Sequence, residues 1–289
     1  MAALALINNS MKKNLLAKLG IGRDKPTFII AEAGICHNGD MGIAMRMIDA
    51  AKKAGANAIK FQTYVTEKRV KAGSPIFDIL KKCELSPENT KELKTYADSV
   101  GIIFFSTPFD VDSVFLLKKL GVQLMKIASF DLVNKQLLKA VASTKIPIII
   151  SRGMGNKKEI DEALAICKKA GVKFALLHCV SAYPTPKDGA NLRAVHTLLE
   201  AYECPIGYSD HTLDITACLH AVAAGATVLE KHFTLDKNME GPDHKLSADP
   251  RELASLVAGV RDVEKMLGTG KIESLDVEKG TRMYRRPSK

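Results

Sequence analysis

Eight short apolar runs, each parted from the next by a segment of helical period, constrain this chain more than any other feature. The runs are Phe28–Ala33, Ala56–Gln62, Ile102–Ser106, Gln123–Ala128, Pro147–Ser151, Lys173–Cys179, Cys204–Ser209 and Thr227–His232. Their length and β-branched content read as buried strands. Between them Ile43, Met47 and Ala51 share one helical face, and further helices are predicted from Ser86-Pro87 and near Val111, Leu132, Lys157, Asn191 and Leu213. Asp249-Pro250-Arg251-Glu252 is the clearest helix start, with an N-cap, a first-turn proline and an acid at the third position. An apolar stripe follows at Leu253, Leu256, Val257, Val260 and Val263. Eight strand–helix units over about 250 residues predict a (β/α)8 TIM barrel. A doubly wound open sheet has the same periodicity, but no G-x-G-x-x-G follows any run, which argues against its dinucleotide-binding form. The expected boundaries are an amphipathic lead-in over residues 1–26, a catalytic barrel over 27–268 and an extension over 269–289.

In a barrel, catalytic groups gather at the C-terminal ends of the strands. The runs end in Glu32; Lys60 and Gln62; Ser106 and Thr107; Lys126 and Ser129; Ser151; His178; Ser209, Asp210 and His211; and Glu230 and His232. Five of the seven histidines (His37, His178, His211, His232 and His244) fall at or just beyond these ends. Lysine and glutamate inside apolar strands are costly unless paired or bound to ligand. The eight ends therefore read as one site.

His211 and His232 close consecutive strands around a helix predicted over Ile215–Ala224, which sets two imidazoles side by side on one sheet edge as a metal site. Lys60 and Lys126, with the hydroxyls of Thr107, Ser129, Ser151 and Ser209, form a receptor for a compact anion; a carboxylate-phosphate such as phosphoenolpyruvate suits them. Schiff-base chemistry on a lysine is a competing role. The histidine pair points instead to a divalent Lewis acid on a carbonyl oxygen. Glu32 and Glu230 are candidates for proton transfer or for orienting water, and Asp243, in the loop Gly241–Lys245, adds an acid or a partner to the ligands.

The net charge of +10 is spread over helices and mixed with acids, which reads as a solvated basic surface and not as a nucleic-acid footprint. Six isolated cysteines form no C-x-x-C pair and read as free buried thiols. No apolar run reaches the ~20 residues of a membrane span, and a cytoplasmic protein is expected.

Taken in order, Ile30-Ala31-Glu32-Ala33-Gly34, His37-Asn38-Gly39, Lys60-Phe61-Gln62-Thr63, Ser106-Thr107-Pro108-Phe109-Asp110, Lys126-Ile127-Ala128-Ser129, Gly207-Tyr208-Ser209-Asp210-His211, Glu230-Lys231-His232-Phe233-Thr234 and Gly241-Pro242-Asp243-His244 resemble the sialic acid synthase family. His178-Cys179 with Tyr183-Pro184 extends the series, which runs from about Phe28 to the C-terminus. The resemblance implies a barrel enzyme that condenses phosphoenolpyruvate with the open-chain aldehyde of an N-acetylmannosamine-like sugar, giving a nonulosonic acid and phosphate. It implies a divalent metal on His211 and His232, manganese first, with magnesium or cobalt as alternatives. Gln62, Tyr183 and Asp243 fall where the family holds the sugar, and Glu32 where it holds a carboxylate near the reacting centre. A homodimer is the family's usual assembly.

The chain departs from the family pattern in several places. Ser151-Arg152-Gly153-Met154 stands where a serine-threonine-glycine-methionine run is usual, and Asp131 stands where a glutamate is commoner and can reach the substrate. The segment after Thr63 is short, so part of the usual sugar-binding loop is expected to be missing. A basic segment like Tyr284–Lys289 leads in the family to an antifreeze-like domain that contributes an arginine to the sugar; the chain reads as a barrel without it. Two other readings stand beside the synthase: an aldol-type enzyme acting on a phosphorylated aldose, with Arg152 and Lys245 as its second basic pocket, and a non-catalytic sugar-binding paralogue.

Overall fold

The eight runs fold as strands β1 (Phe28–Gly34), β2 (Ala58–Thr63), β3 (Ile103–Pro108), β4 (Met125–Ile127), β5 (Ile148–Ser151), β6 (Phe174–His178), β7 (Ile206–Asp210) and β8 (Val228–His232). Each pairs in parallel with the next and β8 returns to β1, closing a (β/α)8 barrel and excluding the open sheet. This computed structural model describes residues 15–287, so most of the expected lead-in lies outside the described residues.

Side-chain alternation decides what each strand offers the interior. Phe28, Ile30, Ala58, Phe105, Leu124, Ile149, Ala175, Leu177 and Val228 pack together inside the barrel, and Leu16 and Ile21 close its base. Their neighbours, among them Ile29, Ile59, Phe104, Leu176, Tyr208 and Leu229, face outward and join the helices in the larger core. Two residues further along each inward row, the apolar side chains give way to polar ones. Glu32 follows Ile30, Lys60 follows Ala58, Thr107 follows Phe105, Lys126 follows Leu124, Ser151 follows Ile149 and Glu230 follows Val228. Register then sets Glu32 opposite both Lys60 and His232, and Ser209 opposite Glu230. On β7 the inward row begins at Gly207, where a Cβ would lie 2.2 Å from the Val228 carbonyl oxygen. Only glycine lets β7 approach β8 so closely.

The last helix, Pro250–Leu267, starts as the sequence indicates: Asp249 accepts from the backbone N–H of Arg251 and Glu252, and Glu252 accepts in return from Asp249 N–H. Three helices begin two or three residues later than expected, at Lys135, Arg193 and Thr216. A side-chain cap explains the first of these shifts, since Asn134 accepts from Leu137 N–H, and Asp214, one residue before the cap of the third helix, accepts from Thr216 N–H. Strand β4 is shorter than its apolar run because Ser129–Asp131 turns into a 3-10 helix. After β2 the short segment is not empty. It forms two small helices, Thr66–Arg69 and Phe77–Cys83, which reach the C-terminal mouth of the barrel. Among the described residues no helix is long and apolar enough to cross a membrane.

Candidate active site

A cavity of about 380 Å³ opens at the C-terminal mouth. Its floor is a buried cluster of two ammoniums and two carboxylates. Lys60 Nζ lies 2.9 Å from Glu32 Oε2 and 3.6 Å from Glu230 Oε2, and Lys126 Nζ lies 2.6 Å from Glu230 Oε1. Hydroxyls complete it: Lys60 donates to Thr107 Oγ1 and Ser209 donates to Glu230 Oε1, each at 3.0 Å. Ser151 Oγ is buried without an oxygen or nitrogen partner and also faces the cavity. The anion receptor read from sequence is therefore already balanced in charge by its own acids.

Burial acts on all four groups, and their neighbours separate them. Burial would raise the Glu230 carboxyl, but Lys126 and Lys60 more than offset it and bring it down to about 2. For Glu32, burial prevails over the attraction of Lys60, and the charge on Glu230 adds to the rise. Lys60 is raised because Glu230 and Glu32 overcome its desolvation, whereas Lys126 is lowered by burial, with the Lys60 charge adding to it. Glu230 is thus a fixed anion, and Glu32 is the carboxyl that burial makes the readier of the two to hold a proton. A Schiff base would need a neutral amine; Lys60 is driven the other way, and Lys126, though lowered by burial, is held in its ion pair with Glu230.

His211 and His232 stand at the rim with ring centroids 5.5 Å apart. His211 Nδ1 lies 2.7 Å from the Val180 carbonyl oxygen, an acceptor only, so Nδ1 carries the proton and the Nε2 lone pair is free. Burial lowers both imidazoles below their ordinary 6.5 and keeps them neutral. His232 Nδ1 is buried without a hydrogen-bond partner and 3.8 Å from Asp243 Oδ2. Two neutral imidazoles with free lone pairs fit a divalent metal. Among the described residues no group of three His, Cys, Asp or Glu side chains forms a fuller ligand set, so the remaining positions would fall to water and substrate. Tyr183 packs against His211 at 4.2 Å between ring centroids and also lines the cavity.

Gln62, Ser129 and Asp243 line the cavity as well; of the residues expected to catalyse, bind substrate or hold the metal of the synthase, only Asp131 does not. Asp131 sits on the turn after β4, where its Oδ1 accepts from Asn134 Nδ2 at 3.0 Å. Nor do all the polar residues at the strand ends serve one site. Ser106, His178 and Asp210 lie on the outward rows of β3, β6 and β7, and Ser106 Oγ meets Thr63 Oγ1 at 2.7 Å. His178 Nδ1 accepts from Arg152, and its Nε2 donates to the Ala190 carbonyl. Asp210 pairs with Lys231 at 2.8 Å behind the barrel wall. His37 accepts from Gly39 N–H, and His244 bonds Thr234 Oγ1. Conversely, Arg69, Ile76, Ile79, Leu80, Phe109, Phe130 and Cys179 line the cavity although the sequence reading assigned them no role. Cys179 was findable, since it continues the inward row of Ala175 and Leu177.

Burial lowers His37 and His178 to about 4. Their folded pKa lies below the unfolded value of 6.5, so the unfolded chain binds protons that the folded chain refuses. Their contribution to stability is complete above about pH 6.5 and is lost as pH falls through about 4. Thermal unfolding of the metal-free protein should show Tm falling across this window, and His37→Gln should flatten the slope. A slope unchanged in that variant would remove His37 as a source.

The NeuB family matches residues 47–272, well over half of the chain. The chain belongs to the NeuB family. Among its relatives, N,N'-diacetyllegionaminic acid synthase of Campylobacter jejuni is 43% identical over 263 residues, 85% of this chain and 79% of that protein. An uncharacterized protein of Methanocaldococcus jannaschii is 50% identical over 261 residues, 90% of this chain and 77% of its own length. The crystal structure of N-acetylneuraminic acid synthetase from Leptospira borgpetersenii, in complex with citrate, superposes with a TM-score of 0.88 at 45% identity, covering 91% of this chain and 92% of that one. This NeuB-family barrel is therefore an enzyme of the sialic acid synthase family, whose known reaction is a phosphoenolpyruvate condensation that is in general metal-dependent.

Proposed function

We propose that this chain condenses phosphoenolpyruvate with the open-chain aldehyde of an N-acylated, mannosamine-like aldose to give a nonulosonic acid and phosphate. The observation that carries the reading is one cavity that joins a floor of paired lysines and acids to a rim of two neutral histidines. Lys60, Lys126 and the hydroxyls of Thr107, Ser129, Ser151 and Ser209 bind the carboxylate and phosphate, which take over hydrogen bonds that Glu32 and Glu230 accept in their absence. Gln62, Tyr183 and Asp243 hold the acceptor above them. Held by His211 and His232, a divalent cation, manganese first, would supply Lewis acidity at the aldehyde oxygen.

The new carbon–carbon bond joins the enol carbon to the aldehyde carbon, the carbonyl π pair moves to the aldehyde oxygen, and that oxygen ends as a hydroxyl with the proton that Glu32 takes from water. Water then adds at the carbon bearing the phosphate ester, and the tetrahedral adduct breaks its carbon–oxygen bond to release phosphate. Glu32 takes the proton from the attacking water, and burial makes it a stronger base than a free carboxylate. Glu230 stays ionised and sets the positions of the two ammoniums.

A phosphorylated acceptor would need a second basic pocket. Arg152 is occupied by His178 and the Gly153 carbonyl, and neither it nor Lys245 lines the cavity. The synthase reading is tested by incubating the protein with phosphoenolpyruvate, manganese and a panel of N-acylated hexosamines and following phosphate release. Turnover that chelation abolishes is expected. Silence with every acceptor would favour a non-catalytic sugar binder, and turnover indifferent to chelation would remove the metal from the scheme.

A further inference from the structure

Arg69 is the cation on the cavity wall that the floor chemistry leaves unused. It ends the small helix Thr66–Arg69, and its guanidinium carbon stands 3.7 Å from the ring centre of Phe109 and 4.5 Å from that of Tyr64. Those two rings meet edge to face, so the guanidinium rests in an aromatic corner that fixes its plane. One N–H goes from Nη1 to Gln62 Oε1 at 2.9 Å, and the Tyr64 hydroxyl is a second partner. Among the described residues no carboxylate lies within ion-pair distance of it. A largely buried guanidinium has five N–H donors to satisfy, and this one borders an open cavity.

We propose that Arg69 reads the acceptor, donating to a neutral oxygen of the aldose, an acylamino carbonyl or a hydroxyl, and fixing through Gln62 the polar face that the sugar meets. The statement rests on the acceptor reading above. Gln62 turns its carbonyl to Arg69, so its amide N–H must point the other way, and Nε2 lies 3.3 Å from Glu32 Oε1. A run of hydrogen bonds thus leads from the mouth through Gln62 to the proton carrier on the floor. Gly34 passes beside it in a left-handed backbone (φ +52°) that favours glycine, with Asp243 Oδ2, Glu32 Oε1 and Gln62 Nε2 gathered within 3.6 Å of its Cβ position, at ordinary contact distance. A neutral ligand follows from charge: Asp131, Asp243 and Glu32 all act on the guanidinium at longer range, and a phosphate arriving there would meet all three. Ile76, Ile79 and Leu80 continue the same wall with apolar surface, which suits the methyl group of an acylamino substituent.

The test uses the full chain, wild type and with Arg69→Met or Arg69→Lys, in calorimetric titrations. The probes are the alditol of N-acetylmannosamine, a diacetamido-trideoxyhexose alditol, the terminal phosphate ester of the first, and phosphoenolpyruvate. An alditol keeps the open-chain substituents and cannot react. Arg69→Met should weaken the alditols that wild type binds by about 10- to 100-fold, the worth of a hydrogen bond to a charged group, and leave phosphoenolpyruvate affinity unchanged. Arg69→Lys should recover only part, since a point charge cannot serve Gln62 and the sugar together. If the methionine variant fails to fold, the lysine variant must still show a selective loss of alditol. Equal losses for alditol and phosphoenolpyruvate, no loss at all, no alditol bound by wild type, or tightest binding of the phosphate ester would each overturn the assignment. Wild type that binds an alditol without releasing phosphate from the matching aldose would instead sink the synthase reading and leave Arg69 as a sugar-binding residue.

Discussion

Lys126→Met is expected to cut phosphate release by about 10²–10³-fold, the loss found when one preorganised charge donor is removed from a water-excluded site. The same substitution should destabilise the fold, because the two effects have one origin. Lys126 Nζ is 2.6 Å from Glu230 Oε1, and both groups are buried. Methionine fills the volume but leaves Glu230 with Lys60, at 3.6 Å, as its one ammonium beside the Ser209 hydroxyl. Removing one member of a buried pair costs about 3–5 kcal/mol, since the survivor stays desolvated. Adding Glu230→Gln should separate the effects: the double variant loses the stranded charge and regains stability, but has no second ammonium for the substrate and regains no turnover. Recovery of turnover in the double variant would make Lys126 a structural residue. The pH dependence has a definite sign. Glu230 is depressed from 4.5 to about 2, so its stabilising contribution is complete above about pH 4.5 and disappears as pH falls through about 2. The gap in Tm between wild type and Lys126→Met should therefore be widest above pH 4.5 and narrow steadily below it.

How much of this site the sequence discloses depends on parity. On a strand the side-chain direction is fixed by counting in twos from a known inward residue. Apolar runs that end in Glu32, Lys60, Lys126 or Glu230 announce themselves, because a charge inside such a run needs a partner or a ligand. The same count sends Ser106 outward with Phe104, His178 with Leu176 and Asp210 with Tyr208, so three of the polar residues at strand ends belong to the packing behind the wall. Residue type alone cannot tell these from the site; phase can. Loops have no phase, which is why His37 and His244 were grouped with the site and do not belong to it. The wall carrying Arg69 was missed for another reason. Its helices span four and seven residues, below the length at which a helix stands without tertiary support. Here that support comes from afar: Tyr64 donates to the Leu80 carbonyl, Glu84 accepts from Thr66, and Arg69 lies on Phe109. None of these contacts leaves a periodic trace in the sequence.

Phase also makes the histidine assignment testable against a matched control. His211→Ala should weaken manganese binding by about 100-fold or more, since losing a group that only supports a ligand already costs about 10–100-fold. The readout is manganese affinity by electron paramagnetic resonance, taken without substrate, so that a fault in chemistry cannot imitate a fault in binding. His232→Ala should behave in the same way, because its ring stands 5.5 Å from that of His211 and both imidazoles are neutral. Truncating His211 also strips one face of Tyr183, so some loss of Tm is expected and must be measured beside the affinity. His178→Gln is the control. It too sits at the end of a strand, is buried and stays neutral at pH 7, but it lies on the outward row and is satisfied by Arg152 and Ala190. That variant should lose stability while keeping wild-type manganese affinity. If His178→Gln weakened manganese as much as His211→Ala, the inward and outward rows would not be what separates ligand from scaffold, and the metal would have to be sought elsewhere at the barrel mouth. If both rim variants kept full affinity, the pair would serve to shape the acceptor pocket, and the Lewis acid would leave the mechanism.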